Sequence, residues 1–62
     1  MNKKILISDD SSLEAALKKM NALGKKCLII ANEGKFLGTL SDGDVRKALL
    51  SGKSLDSPIK GI

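Results

Sequence analysis

The sequence predicts an α+β domain in which a small antiparallel sheet carries two helices on one face. Three observations favour this fold: an apolar stripe with helical spacing, two apolar segments separated by a turn signal, and a second helix start directly after them. The chain has 62 residues, which is enough for one small domain. The predicted order is a short strand, a helix, two strands, a second helix and an extended tail, and such an order places helices against a sheet.

The first helix is predicted at about residues 12–23, after an apolar segment at 5–7 that is either a short strand or an extended arm. We expect a capping box in which the Ser11 hydroxyl accepts from the Glu14 amide and the Glu14 carboxylate accepts from the Ser11 amide. Gly24 stands where such a helix ends in a left-handed residue. The apolar residues that share one helical stripe are Leu13, Ala16, Leu17, Met20 and Leu23.

A hairpin is predicted next. Residues 27–31 are continuously apolar, which is typical of a strand covered on both faces, and we expect Cys27 to be buried there. Residues 32–35 form a turn signal, and residues 36–40 are the returning antiparallel strand. Gly38 is expected to weaken this strand unless another backbone or a ligand must come close to it.

The second helix is predicted to begin after Ser41 and to end near residue 51, before Gly52. Ser41 and Asp44 have the spacing of a capping box, with aspartate in place of the usual glutamate. The tail, residues 53–62, is expected to be extended and to pack on the rest of the chain. The apolar stripe of this helix consists of Val45, Ala48 and Leu49, with Leu50 beside it.

Composition limits the function. One cysteine and no histidine exclude an intramolecular disulfide and a Cys/His zinc site. A chain of this size is marginally stable alone, and one sheet face is expected to stay apolar and uncovered, so we expect a partner chain. The net charge of +4 comes without a basic run, and Phe36 is the only aromatic residue, so no nucleic-acid partner is expected. With no membrane span, no secretory signal and a lone thiol, we expect a cytoplasmic protein without a membrane partner.

The sequence resembles the CBS (cystathionine-β-synthase) motif over nearly its whole length. Ser12–Met20 is similar to the family's first helix, Cys27–Leu40 to its central hairpin, and Gly38–Asp44 to its Gly-h-h-Ser/Thr-x-x-Asp signature. The resemblance implies that residues 1–62 are a single motif, half of the Bateman pair in which ligands lie between two motifs. Residues 37–59 are also similar to the N-terminal CBS motifs of some bacterial sugar-phosphate nucleotidyltransferases, which implies a fragment of a longer enzyme.

Adenosine nucleotides are the common ligands of the family that the chain resembles. The resemblance implies that Ser41 contacts a phosphate or the ribose and that Asp44 binds the ribose hydroxyls, and a helix start also favours an anion. A capping box alone accounts equally well for Ser41 and Asp44. Arg46 either offsets the charge of Asp42 at a phosphate site or pairs with it on the helix surface. The candidate binding residues are Thr39, Ser41, Asp42, Gly43, Asp44 and Arg46.

An adenine ring could lie between apolar side chains, although their expected role is the ordinary core; these are Ile5, Ile7, Leu28 and Ile30. The sequence contains no catalytic constellation, and it predicts no required cofactor and no metal site. We therefore expect a non-enzymatic regulatory module that binds AMP, ADP or ATP, belongs to a sugar-phosphate nucleotidyltransferase and pairs with a second CBS motif by homodimerisation. Binding between two motifs would shift their packing and so act allosterically. The alternative is a structural dimerisation module that binds no ligand.

Overall fold

The structure, a computed structural model, describes residues 5–60. Residues 1–4 and 61–62 lie outside the described part, so the last two residues of the predicted tail are not covered by it. The element order confirms the predicted β-α-β-β-α pattern. The elements are β1 (Leu6–Ile7), α1 (Leu13–Leu23), β2 (Cys27–Asn32), β3 (Lys35–Ser41) and α2 (Asp42–Leu50).

The sheet has three strands in the order β1-β2-β3. Strands β2 and β3 form the predicted antiparallel hairpin, whereas β1 lies parallel to β2, with Leu6 opposite Ile29 and Ile7 opposite Ile30. The apolar segment at 5–7 therefore contributes a strand rather than an arm, and the sheet is mixed rather than a hairpin alone. Two parallel neighbouring strands need a crossover connection, and α1 is that connection from β1 to β2, packed against one face of the sheet.

The hairpin turns at Glu33 and Gly34, whose φ angles of 52° and 79° are both positive, as in the primed turns that join two twisted strands. Beyond the turn the register shifts by one residue, because Ala31 lies opposite Phe36 but Ile30 lies opposite Gly38. The φ of Gly38 is 151°, a conformation that side chains rarely adopt. A Cβ atom built there would have no neighbour within 4 Å, so no other part of residues 5–60 approaches this glycine closely, and the approach of a ligand stays a prediction. The bulge, not a close neighbour, requires glycine.

The core lies between the helices and one face of the sheet. Leu28 and Leu40 are opposite each other on that face and are fully buried, together with Leu13 of α1 and Val45 of α2. Leu50, beside the predicted stripe of α2, is 82% exposed. The remaining buried core residues are Ile7, Ala16, Met20, Ala48 and Ile59.

The other face of the sheet is uncovered. Strand alternation places Ile29 and Ala31 of β2 on this outward face together with Cys27. Neither helix packs there, so the single chain covers residues 27–31 on one face only, as expected for a sheet with one uncovered face, and cover of the other face by a partner chain stays a prediction. Cys27 is exposed, which corrects its predicted burial.

The N-cap of α1 is Ser12, not Ser11. Its side chain accepts a hydrogen bond from the Ala15 amide at 3.1 Å. The predicted bond between Ser11 and Glu14 is absent because the Glu14 amide donates instead to the Leu55 carbonyl, at 3.0 Å, in the tail. The helix ends at Gly24 with a φ of 66°, as predicted.

The predicted second helix is confirmed. It was expected to end near residue 51, and it ends at Leu50 with Ser51 as its C-cap. The tail packs on the chain, as expected, at the start of α1. Within residues 5–60, neither helix is long and apolar enough to span a bilayer.

Candidate functional site

The candidate site is the turn that leads from β3 into α2. Ser41 is both the last residue of β3 and the N-cap of α2. Its Oγ accepts from the Asp44 amide at 3.1 Å, and Asp44 Oδ2 accepts from the Ser41 amide at 2.9 Å. The predicted capping box is confirmed, and it fixes both side chains at the beginning of the helix.

The Asp44 carboxylate is held in its ionised form. Hydrogen bonding by the Ser41 amide, and after it by the Ser41 hydroxyl, lowers the pKa of Asp44 below its ordinary value. A small desolvation opposes this lowering, and the charge of Lys47 adds the smallest contribution to it. At neutral pH this carboxylate is therefore an acceptor only. One oxygen, Oδ2, serves Ser41, which leaves Oδ1 to accept from another donor.

Asp42 and Arg46 form the predicted ion pair one turn apart on α2. The distance from Asp42 Oδ2 to Arg46 Nη2 is 3.9 Å, and the guanidinium is largely exposed. An exposed pair of this kind contributes little to stability. Arg46 can consequently exchange Asp42 for another anion without weakening the fold.

The two remaining predicted residues lie on either side of the cap. Thr39 is exposed on β3, opposite Ile29, and alternation places it on the outward face. Gly43 is the second residue of α2, and a Cβ added there would lie 3.7 Å from Ser41 Oγ, an ordinary contact. The structure thus brings residues 41–44 together in one turn, with Arg46 one turn further along and Thr39 two residues before.

Sequence reasoning missed two residues beside this turn. The Asp42 amide donates to the Lys26 carbonyl at 2.9 Å, and Cys27 is the cross-strand partner of Ser41. Counting back from a two-residue turn would have placed Cys27 opposite Leu40. The bulge moves the register by one residue. The sequence would have placed Cys27 and Lys26 at the site only if the bulge at Gly38 had been predicted as well.

A shallow apolar depression lies elsewhere on the outward sheet face. It is at the turn end of the hairpin, whereas Ser41 ends β3 five residues beyond Phe36, roughly 16 Å away at ~3.3 Å per residue. The depression reaches toward the Ser41–Asp44 turn only as far as Ile29, which lies opposite Thr39. Its lining residues are Leu6, Ile29, Ala31, Gly34 and Phe36.

The apolar residues considered for an adenine ring have the core role expected for them, with one exception. Ile7 and Leu28 are buried, and Ile30 packs against the core from its partly buried position. Ile5 is half-buried and stands outside this core cluster.

Comparisons with known proteins agree with the geometry. Two relatives, both described only as an uncharacterized protein, come from Helicobacter pylori strains J99 and 26695. Each is 43% identical over 56 residues, which is 89% of this chain but 17% of the relative. The chain thus spans only about a sixth of the length of these curated relatives. Residues 1–51 match the family model of the CBS domain, and because that match covers well over half of the sequence, the chain belongs to the CBS domain family.

Proposed function

We propose that this chain is a regulatory module that binds an adenosine nucleotide of the AMP, ADP or ATP class. CBS domains are regulatory ligand-binding modules and not catalysts. The observation that carries the proposal is the Ser41–Asp44 turn, where a hydroxyl and an ionised carboxylate are fixed together at a helix start. The parent protein in this proposal is a sugar-phosphate nucleotidyltransferase, as the resemblance of residues 37–59 implies.

The chemistry of the turn suits a nucleotide. Asp44 Oδ1 is available to accept from a ribose hydroxyl, because only Oδ2 is engaged by the Ser41 amide. The Ser41 hydroxyl accepts from the Asp44 amide and lies beside the Asp44 carboxylate, and a bound ligand would draw its proton to a phosphate or ribose oxygen. The positive end of the α2 dipole favours the phosphate, and Arg46 compensates the charge of Asp42.

Pairing with a second motif is the other part of the proposal. CBS domains commonly pair with another CBS motif. The outward face of this chain is apolar, and Phe36 at its edge is 69% exposed, which supports burial against a second copy. Thr39 lies on the same face, so a homodimer formed through it would carry the ligand cleft between its two chains.

Calorimetry tests the binding. AMP, ADP, ATP and a sugar nucleotide are titrated into the chain and into three variants. We expect heat with at least one adenosine nucleotide, loss of that heat in Asp44→Ala, and weaker binding in Gly43→Ala, whose added methyl group the fold accommodates. Asp56→Ala removes an exposed carboxylate outside the site and serves as the matched control. Absence of heat with every nucleotide, or equal affinity in Asp44→Ala, contradicts the proposal.

The attachment to an enzyme has its own test. Nucleotidyl transfer from a nucleoside triphosphate to a sugar phosphate is assayed in the longer protein that contains this chain, with and without AMP. Transfer activity that responds to AMP supports the proposal, and a longer protein without such activity contradicts this part of it while leaving the binding result unaffected.

A structural dimerisation module without a ligand is the second candidate. It is favoured by the completeness of the turn, because Ser41 and Asp44 already bond to each other and Asp42 already pairs with Arg46. Sedimentation at several protein concentrations, combined with the calorimetry, separates the candidates. A dimer that takes up no nucleotide favours the second, and a monomer that persists at high concentration contradicts the pairing in both.

A further inference from the structure

Residues 54–60, named the strap here, return from the end of α2 to the start of α1. The strap makes an isolated antiparallel bridge between Pro58 and Ser12. It also makes four backbone hydrogen bonds to residues 9–14. These are Leu13 N–H to the Ser57 carbonyl at 2.9 Å, Glu14 N–H to Leu55 at 3.0 Å, Ile59 N–H to Ser11 at 2.8 Å and Lys60 N–H to Asp9 at 2.9 Å.

The first amides of a helix have no acceptor within the helix and must find one elsewhere. In α1 the Ser12 side chain satisfies only the Ala15 amide. The amides of Leu13 and Glu14 depend on carbonyls of the strap. Leu13 is fully buried with the strap docked, and its amide donates to the strap itself, so release of the strap breaks this bond and opens the start of α1 to water.

The strap also completes the core. Ile59 is only 2% exposed and belongs to the same cluster as Leu13 and Leu28. By contrast, the ion pair between Lys60 and Asp10 spans 3.9 Å with both side chains largely exposed, so it adds little. The strap is therefore held by Ile59 and by its backbone hydrogen bonds.

The strap reaches the hairpin through Asp9. The Asp9 carbonyl accepts from the Lys60 amide, and the Asp9 carboxylate accepts from the Asn32 side-chain amide at 2.6 Å. Asn32 is the last residue of β2, next to the hairpin turn. One turn between β1 and α1 thus joins the strap to the far end of the sheet.

We infer that the strap is a conformational device that fastens α1 to the sheet, and that the folded unit of this chain extends to residue 60 although the family match ends at residue 51. When docked, the strap fixes the start of α1 and the Asp9–Asn32 contact together. Release of the strap frees both at once and leaves the β2–β3 hairpin closed, because none of the four strap hydrogen bonds involves β2 or β3.

Native-state hydrogen exchange tests this inference. In Ile59→Val and Ile59→Ala, we expect the amides of Leu13 and Glu14 to exchange faster, by at least ~10-fold in the alanine variant, while hairpin amides such as that of Leu40 change less. Leu50→Ala, at an exposed position, is the matched control and should leave all these rates unchanged.

Two results would overturn the inference. One is an acceleration in Ile59→Val that is uniform over α1 and the hairpin, since that would mean general destabilisation. The other is a chain shortened to residues 1–52 that unfolds at the same denaturant concentration as the full chain. A shortened chain that does not fold supports the extended folding unit, and the Ile59→Val pattern then decides how the strap opens.

Discussion

Ser41 and Asp44 bond to each other twice, backbone to side chain in both directions, and the carboxylate lies 2.9 Å from the Ser41 amide. The same two groups thus begin a helix and leave one carboxylate oxygen, Asp44 Oδ1, for another donor. Fold stability and ligand binding at this turn therefore respond to the same mutations and must be measured separately.

Acid should weaken the contribution of Asp44 to stability. Its pKa is lowered from 3.8 in the folded chain, so its stabilising effect is complete above that ordinary value and is lost as the pH falls through the lowered pKa. We expect the difference in free energy of unfolding between the wild type and Asp44→Asn to be constant at neutral pH and to shrink below pH 3.8. Urea unfolding at a series of pH values measures it. A difference that grows in acid would contradict the assigned cause.

Adjacent serines at the start of α1 should behave differently. Ser12→Ala removes the acceptor of the Ala15 amide and should lower the free energy of unfolding by about 1 kcal/mol. Ser11→Ala keeps that bond and should change stability little. Chemical denaturation of both variants checks which serine is the N-cap. A larger decrease in the free energy of unfolding for Ser11→Ala than for Ser12→Ala would identify Ser11 as the cap.

Two glycines before and after Ser41 should respond to alanine in opposite ways. Gly38→Ala forces a side chain into a φ of 151° and should destabilise the fold by about 1–3 kcal/mol. Gly43→Ala fits an ordinary contact at 3.7 Å in a helix and should be neutral or stabilising by less than ~1 kcal/mol. Thermal and urea unfolding measure both, and a neutral Gly38→Ala would show that the bulge tolerates a side chain.

Pairing through the outward sheet face should depend on Phe36. Phe36→Asp places a charge on that face and should shift the chain toward monomer in sedimentation, because an unpaired charge is costly to bury. Leu50→Asp changes an even more exposed apolar residue on α2 and is the matched control. Equal dissociation by both variants, or by Leu50→Asp alone, would place the interface on the helices.

Cys27 supplies an independent probe of the same face. Its thiol is exposed in the single chain, at the outward end of β2 beside Ser41. We expect alkylation of the folded chain at low protein concentration and slower alkylation at high concentration, where a second copy covers the face. Mass spectrometry after timed labelling measures the rates, and a rate independent of concentration would argue against pairing there.

Local sequence patterns predicted what local interactions determine. The stripe from Leu13 to Leu23 and the turn at Glu33–Gly34 act over a few residues, so helix and hairpin followed from spacing alone. The Ser41–Asp44 box did so as well, since its partners are three residues apart.

Predictions failed where a distant segment decides the outcome. The cap of α1 moved by one residue because a carbonyl from Leu55 takes the Glu14 amide. Cys27 was expected inside because its apolar strand suggests cover on both faces, and the single chain covers one. Lys26 was missed at the site because its position depends on the strand register, which a spacing rule does not contain.

The bulge at Gly38 adds one residue to β3 without a partner on β2, and this extra residue reverses the alternation of side chains along the rest of β3. Every residue after it faces the side opposite to the one that a regular hairpin would give it, so that Leu40 points inward and Thr39 outward. Deleting one residue here would exchange those two faces, sending Leu40 into water and Thr39 into the core. One inserted residue thus decides which side chains of β3 reach the surface beside Ser41. An insertion or deletion in β3 changes the face of several side chains at once, whereas a substitution changes only one side chain.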